Sequence, residues 1–265
     1  MNIFQALVLG LVQGLTEFIP ISSSGHLVLA HHALGVFDHG LAFDLALHFG
    51  TLVALIIYFW KDLVVYLKSL FIKNDKTHLT WLLIVATIPA AIIGYLLESK
   101  AETTFRSIRL VSFNLLAFGL IMLVAEHYYK RSKKHVELDN ISAAQAISMG
   151  LAQALAVIPG ISRSGSTITA GLFGKLDRVA ATRFSFLLGI LITAGAILKV
   201  FTEKGVLSQI HSQQTVFLVG TLTALFSGML AIRFMLGFIG KHGLYVFAYY
   251  RIVLGIILIA VFTLK

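Results

Sequence analysis

The chain lacks cysteine entirely, and it has few charged side chains for its length of 265 residues. Without cysteine it has no disulfide, no thiolate metal site and no thiol nucleophile. Charged residues make up 12% of the sequence, about half of the ~25% in an average soluble domain. Because 58% of the residues are hydrophobic, the composition excludes intrinsic disorder and leaves too few polar side chains to cover a soluble domain. The sequence therefore predicts a polytopic membrane protein.

Positive charge is absent from the beginning of the chain, where the first Lys or Arg is Lys61. The apolar stretch 3–19 contains Gln13 and Glu17, and no small-residue cleavage site follows it, so we expect mature protein rather than a signal peptide. The apolar runs are long and continuous, which favours helices over a barrel of short alternating strands. We attribute the net charge of +9 to cytoplasmic loops and expect no nucleic-acid partner.

Ten apolar segments are predicted to be helices, and six of them are long enough to span a bilayer. These six are 42–60, 79–97, 108–126, 179–201, 214–237 and 244–264. The other four form two pairs, 2–19 with 26–36 and 143–158 with 166–174. A break rich in Pro, Gly and Ser interrupts each pair, at 20–25 and at 159–165. We interpret the pairs as broken, re-entrant helices in an all-α membrane protein.

The two broken pairs are related by an internal repeat with an offset of 140. Between residues 10 and 25, eight of sixteen positions are identical to their counterparts; chance matches among Gly, Leu and Ser are the alternative. Each half, 1–126 or 143–265, holds a broken pair followed by three spans, within a single membrane domain. Because three is odd, the second half is predicted to insert upside down relative to the first.

Basic residues are concentrated on one side of this predicted topology. Loops 61–78, 126–142, 175–183 and 233–243 carry thirteen of them, against six on the opposite side. The positive-inside rule places these loops in the cytoplasm, including 127–142 between the halves, and both termini outside.

Each break precedes a short helix, whose N-terminus offers free N–H groups and a positive dipole end to an anion. Two such ends, brought together by the repeat, would form a two-sided phosphate site. Gly25 and Gly165 allow close approach of the backbone. The hydroxyl groups available for such a site belong to Ser22, Ser23, Ser24, Ser162, Ser164, Ser166 and Thr167.

Four other polar residues lie near the breaks. Arg163 has the planar fork that fits phosphate oxygens, although a structural salt bridge to Glu17 is the alternative. Gln13 and Glu17 share a helix face at i and i+4, where they could hold a divalent cation on oxygen ligands, or Glu17 could orient His26. His26 is a candidate general acid or base.

Polar residues elsewhere in the apolar segments are harder to assign. Asp44 and His48 form a second i, i+4 pair, for which a supporting role and structural hydrogen bonding remain open. His31 is expected at the membrane interface. Arg251 is expected to face the bundle interior, with an anion contact as a second interpretation. The absence of a P-loop or Rossmann fingerprint in a suitable context excludes a nucleotide-driven pump.

Two long motifs carry a specific resemblance. Residues 13–26 read Gln-Gly-Leu-Thr-Glu-Phe-Ile-Pro-Ile-Ser-Ser-Ser-Gly-His, and residues 159–165 read Pro-Gly-Ile-Ser-Arg-Ser-Gly. With the Phe-Ser-Phe-Leu-Leu stretch at 184–188, the whole chain resembles the bacterial undecaprenyl-diphosphate phosphatase family of the bacitracin-resistance type. Gln13 is the glutamine variant of the family's (E/Q)-x-x-x-E motif, so a mechanism with two carboxylates at this place is not implied.

The resemblance implies an integral enzyme of the bacterial cytoplasmic (inner) membrane that hydrolyses undecaprenyl diphosphate to undecaprenyl phosphate and phosphate. This reaction recycles the carrier lipid for peptidoglycan and other envelope polymers. The resemblance also implies a divalent cation, Mg2+ or Ca2+, and a site that opens towards the outer face. A homodimer is compatible with it.

The resemblance, read with the residues, gives each group a role. Arg163 is expected to clamp the terminal phosphoryl group, while Glu17, aided by Gln13, places the metal or accepts a proton. Hydroxyls of both breaks would orient phosphate oxygens, with Gly25 and Gly165 in the binding site. His26 is the first candidate for the general base, and covalent routes through Ser23 or His26 stay open. The alternative function is transport of polyprenyl phosphate, since inverted repeats with broken helices are typical of transporters; a purely structural scaffold does not explain Arg163 and Glu17 at membrane depth.

These roles predict that Arg163→Ala, Glu17→Ala and His26→Ala each reduce turnover at least about a hundredfold, because each removes a charged or proton-transferring group from the transition state. The measurement is phosphate release by folded, detergent-purified protein. Near-normal turnover of Arg163→Ala would overturn the site assignment.

Overall fold

The computed structural model of the chain describes residues 1–36, 40–102, 107–200 and 206–263. Within these ranges all regular secondary structure is helical, apart from one isolated bridge between Val136 and Leu176. Two short 3-10 turns lie at Leu138–Asn140 and Leu155–Val157. The eleven described α-helices are α1 (Ile3–Phe18), α2 (Ser23–Leu34), α3 (Gly40–Ser69), α4 (Thr77–Glu102), α5 (Ile108–Arg131), α6 (Ala143–Ala154), α7 (Arg163–Phe173), α8 (Arg178–Val200), α9 (Val206–Ser212), α10 (Gln214–His242) and α11 (Tyr245–Thr263).

Six of the described helices, α3, α4, α5, α8, α10 and α11, are long and apolar enough to cross a membrane. They coincide with the six predicted spans, so the prediction of an all-α polytopic membrane protein is confirmed. The predicted span ends at 201 and 264 lie outside the described residues, as do Arg106, Lys204 and Lys265 of the charge count. Helix α9 was not predicted, because seven residues with four polar side chains show no apolar periodicity.

Both breaks are shorter than predicted, because the helix that follows each one begins early. Ser22 and Ser162 are the N-caps of α2 and α7, and their hydroxyls accept hydrogen bonds from the backbone N–H of Gly25 (3.3 Å) and Gly165 (3.1 Å). Both serines have positive φ angles, 77° and 78°, a strained conformation for a residue with a side chain. Ser23 and Arg163 consequently lie in the first helical turn rather than in the break.

Helix packing repeats between the halves. Helix α1 packs on α10 as α6 packs on α4, and α3 packs on α10 as α8 packs on α4. Gly10 and Gly150, which correspond in the repeat, are points of close approach: a Cβ atom would collide with the carbonyl oxygen of Gly220 in α10 or of Ala86 in α4. The packing therefore follows the repeat seen in the sequence, although the boundaries of the halves, at 126 and 143, stay a prediction.

A buried guanidinium group joins the two breaks. Arg251 of α11 is fully buried and donates hydrogen bonds to the carbonyl oxygens of Gly160 (2.6 Å), Ile161 (2.9 Å) and Pro20 (3.3 Å). Asn114 of α5 donates to the carbonyl of Pro159 at 2.8 Å. Because non-helical backbone within a membrane needs such partners, Arg251 serves the backbone, and the alternative of an anion contact is not supported.

Replacing Arg251 with leucine should destabilise the protein severely, because it leaves buried carbonyl groups unpaired at about 1–3 kcal/mol each. Thermal unfolding in detergent measures this effect. Arg233→Leu is the matched control, because Arg233 lies on the exposed face of α10 and its loss should change the unfolding temperature little. Equal effects of the two substitutions would contradict the role given to Arg251.

Candidate active site

A cavity of about 1050 Å3 lies between the broken pairs and helices α3, α4 and α8. Its polar end holds charged and hydrogen-bonding side chains from both halves of the chain. Its walls along α4 and α8 combine apolar residues, Ala90, Gly94 and Ala196 among them, with four polar ones. The polar lining consists of Glu17, Ser24, His31, His32, Asp44, His48, Thr87, Tyr95, Gln153, Arg163, Thr193 and Lys199.

An ion pair between Glu17 and Arg163 connects the two halves of the chain. The Arg163 guanidinium donates to Glu17 Oε1 at 2.8 Å, and the two side chains are only 13% and 8% exposed. A second Arg163 nitrogen donates to the carbonyl of Ser185 at 3.1 Å. Arg163 opens α7 directly after its N-cap, whereas Glu17 lies in the last turn of α1. The structure therefore brings the two charged residues of the predicted site together across the repeat.

The second carboxylate oxygen of Glu17 has three polar neighbours. Ser23 Oγ donates to Oε2 at 2.6 Å, Gln13 Nε2 donates to it at 3.1 Å, and His48 Nε2 lies 3.7 Å away. A hydroxyl group at this distance from a buried carboxylate has the arrangement of a nucleophile beside its base. Gln13 Oε1 is buried and has no hydrogen-bond partner within the described part of the chain.

His26 lies apart from this cluster. Its Nδ1–H donates to the carbonyl of Ser22 at 2.8 Å, and its Nε2 lies 2.8 Å from the hydroxyl of Tyr250, on which the ring stacks. It is not among the residues that line the cavity. Its hydrogen bond to Ser22 turns the ring towards α11 and Tyr250 rather than towards Glu17, and its role as general acid or base stays a prediction.

His48 occupies the place that the sequence suggested for His26. Its Nδ1–H donates to the carbonyl of Asp44 at 2.7 Å, which leaves Nε2 facing Glu17. Asp44 also pairs with His31 Nε2 at 2.7 Å. His31 is thus buried in a hydrogen-bonded pair, and its position at the membrane interface stays a prediction. The i, i+4 spacing of Asp44 and His48 was the only sequence signal for this wall of the cavity.

Most predicted phosphate-binding hydroxyls are engaged within the breaks. Ser164 Oγ donates to the backbone carbonyl of Glu17 at 3.2 Å, and Thr167 Oγ1 is hydrogen-bonded to Ser185 Oγ at 2.6 Å. Ser22 and Ser162 cap their helices, and Ser166 bonds back to Arg163. None of these five, nor Gly25 or Gly165, lines the cavity. Ser24 lines the cavity, and Ser23 is hydrogen-bonded to Glu17. The phosphate-binding role of the seven hydroxyls stays a prediction.

The oxygen-rich neighbourhood of Glu17 suits a hard divalent cation. Within the described residues no three His, Cys, Asp or Glu side chains converge as a complete metal site. Mg2+ commonly takes only one or two carboxylates and completes its shell with substrate phosphates and water. The unpartnered Oε1 of Gln13 is a spare oxygen one turn from Glu17, although its amide must turn over for both residues to hold one ion. Glu17 and Gln13 are therefore the residues that could hold a cation shared with a phosphate, and the cation stays a prediction.

The fold and these contacts define a class: polytopic membrane proteins whose buried polar site is assembled from two broken helix pairs at the end of an apolar cavity. The family model of "Bacitracin resistance protein BacA" matches residues 6–257. The chain belongs to the BacA family.

Named relatives match over the full length. The undecaprenyl-diphosphatases of Moorella thermoacetica and Rubrobacter xylanophilus are each 43% identical, over 267 and 274 residues, and the alignments cover 100% of both chains. The undecaprenyl-diphosphatase of Caldicellulosiruptor bescii is 42% identical, over 100% of this chain and 99% of its own.

Proposed function

We propose that this protein hydrolyses undecaprenyl diphosphate to undecaprenyl phosphate and inorganic phosphate. The family and the names of the relatives support this reaction. The observation that carries the proposal is the Glu17–Arg163 pair, buried where the two broken helix pairs meet at the polar end of the cavity. An anion-binding guanidinium and a potential proton acceptor are the groups that phosphoanhydride hydrolysis needs.

The shape of the cavity suits a lipid with a charged head. The polyanionic diphosphate would lie at Arg163, and the isoprenoid tail would lie along α4 and α8, where Ala91, Gly195 and Leu191 line the wall. This arrangement keeps the tail in an apolar environment while the head reaches its hydrogen-bond donors. The lipid would enter sideways from the bilayer.

The chemistry assigned to the site is phosphoryl transfer, which depends mainly on positioning and charge stabilisation. Arg163 would bind the terminal phosphoryl group in exchange for part of its pairing with Glu17. The freed carboxylate would take the proton of the Ser23 hydroxyl or of a water molecule as that oxygen attacks the terminal phosphorus. The anhydride P–O bond breaks and undecaprenyl phosphate leaves; on the serine route, water then releases phosphate from Ser23.

A divalent cation, Mg2+ or Ca2+, completes the proposal. Glu17 and Gln13 would hold it together with oxygens of the diphosphate. When bound, it would neutralise charge on the phosphoryl oxygens. His48, 3.7 Å from Glu17, would help to orient the carboxylate.

The biological setting follows from the reaction. Undecaprenyl phosphate is the carrier lipid of cell-wall synthesis, so the enzyme would recycle it at the cytoplasmic membrane of a bacterium, with the site open to the outer side. An enzyme that removes undecaprenyl diphosphate would also confer resistance to bacitracin. A homodimer stays a prediction, which the mass of the detergent-solubilised protein tests.

The decisive experiment is phosphate release from undecaprenyl diphosphate by the purified protein, with and without EDTA. We expect release that needs Mg2+ or Ca2+, and a loss of at least about a hundredfold in Arg163→Ala. Arg163→Lys should recover little, because an ammonium group lacks the planar fork. No release under varied metals and detergents would refute hydrolysis, and movement of a fluorescent polyprenyl phosphate across proteoliposomes would then favour transport.

Gly189 of α8 provides a separate test of where Arg163 must lie. A Cβ atom at this position would collide with the Arg163 guanidinium. Gly189→Ala should therefore shift the guanidinium and lower kcat/KM by about a hundredfold, as small displacements of a positioning group do. Gly237→Ala is the control, since a Cβ there meets open space and activity should be unchanged. Full activity of Gly189→Ala would contradict the proposed clamp.

A further inference from the structure

Gln153 of α6 is a buried amide whose hydrogen bonds are unmade. Its side chain lines the cavity that holds Glu17 and Arg163, and the residue is only 2% exposed. Neither Nε2 nor Oε1 has a hydrogen-bond partner within the described part of the chain. A buried amide without partners is strongly unfavourable in an apolar environment. Its retention on the cavity wall therefore points to a polar partner that enters the cavity.

A second glutamine on the same helix, Gln145, has a side-chain amide whose hydrogen bonds are made within the protein. Gln145 Oε1 accepts from the backbone N–H of Ser142 at 2.8 Å, and its Nε2 donates to the carbonyl of Gly174 at 2.6 Å. Gln145 thus connects the start of α6 to the end of α7. Among the described residues, the amide of Gln153 makes no hydrogen bond that connects α6 to another element.

The repeat explains why the amide of Gln153 is free. Gln153 corresponds to Gln13, whose Nε2 donates to Glu17 four residues later. The residue that corresponds to Glu17 in the second half is Val157. The second half thus has no carboxylate in the place of Glu17, and the N–H groups of Gln153 are buried without a partner among the described residues.

We infer that Gln153 is a substrate-binding residue whose side-chain amide donates hydrogen bonds to phosphate oxygens of the diphosphate head group. The inference rests on the proposed function. Phosphate oxygens accept hydrogen bonds from neutral amides, whereas an isoprenoid tail offers no acceptor. Gln153 would hold the head group from α6 while Arg163 holds it from α7, so the polyanion gains a neutral donor beside a cationic one.

Gln153→Leu tests this role, because it removes the amide and keeps the volume. The substrate is farnesyl diphosphate, a short polyprenyl diphosphate, and the readouts are kcat, KM and thermal unfolding in detergent. We expect kcat/KM to fall at least about tenfold, mainly through KM, since one hydrogen bond to a charged group is lost. The unfolding temperature should stay the same or rise, because an unpartnered amide is replaced by an apolar side chain.

Gln145→Leu is the matched control and should show the reverse: a lower unfolding temperature with an unchanged KM. A kcat/KM of Gln153→Leu within twofold of the wild type would overturn the inference. So would a loss of stability like that of Gln145→Leu with unchanged KM, which would mean that an interior water holds the amide. If stability and activity both fall in Gln153→Leu, the rise in unfolding temperature caused by inorganic diphosphate distinguishes the two explanations. Loss of this rise supports the inference, and a rise equal to that of the wild type overturns it. Absence of phosphate release by the wild-type protein would instead refute the proposed function.

Discussion

The fold depends on how the protein satisfies backbone groups that leave helical geometry at membrane depth. Two helix pairs are interrupted, and each interruption exposes carbonyl groups that the bilayer cannot hydrate. Arg251 and Asn114, one from each half, supply the missing donors, while Ser22 and Ser162 cap the helices that follow. Because one guanidinium binds carbonyls of both breaks, the position of one interruption determines the position of the other. The ion pair of the candidate site is held by this framework.

The charged residues of the candidate site lie at positions where the sequences of the two halves differ. The repeat retains glutamine at 13 and 153, and the capping serine at 22 and 162. It differs at the two charged positions: Glu17 corresponds to Val157, and Ser23 corresponds to Arg163. A carboxylate and a hydroxyl therefore come from one half and a guanidinium from the other. The repeated packing forms the scaffold. The differences between the halves place a carboxylate, a candidate nucleophile and an anion-binding group in contact with each other.

The sequence predicted the long apolar helices, the two breaks and the meeting of Glu17 with Arg163, because hydropathy, turn residues and a fixed repeat offset are local patterns. The predicted breaks end too late in the chain, since in each one a serine N-cap with positive φ is followed directly by the first residue of the helix. The sequence did not predict the position of the His26 ring, because a side-chain bond to the preceding turn and the stack on Tyr250 depend on packing between distant segments. For His48 the sequence offered only its i, i+4 spacing, and for Gln153 only its position in the repeat. The cavity that both residues line lies between helices whose contacts cannot be predicted from local sequence patterns.

The shared ion pair has a consequence for the symmetry of the site. A protein built from two identical halves with this packing would present two equivalent polar clusters. With Glu17 kept in one half only and Arg163 in the other, a single cluster retains both charges. The site therefore has a single orientation relative to the two halves, although the helix packing around it repeats.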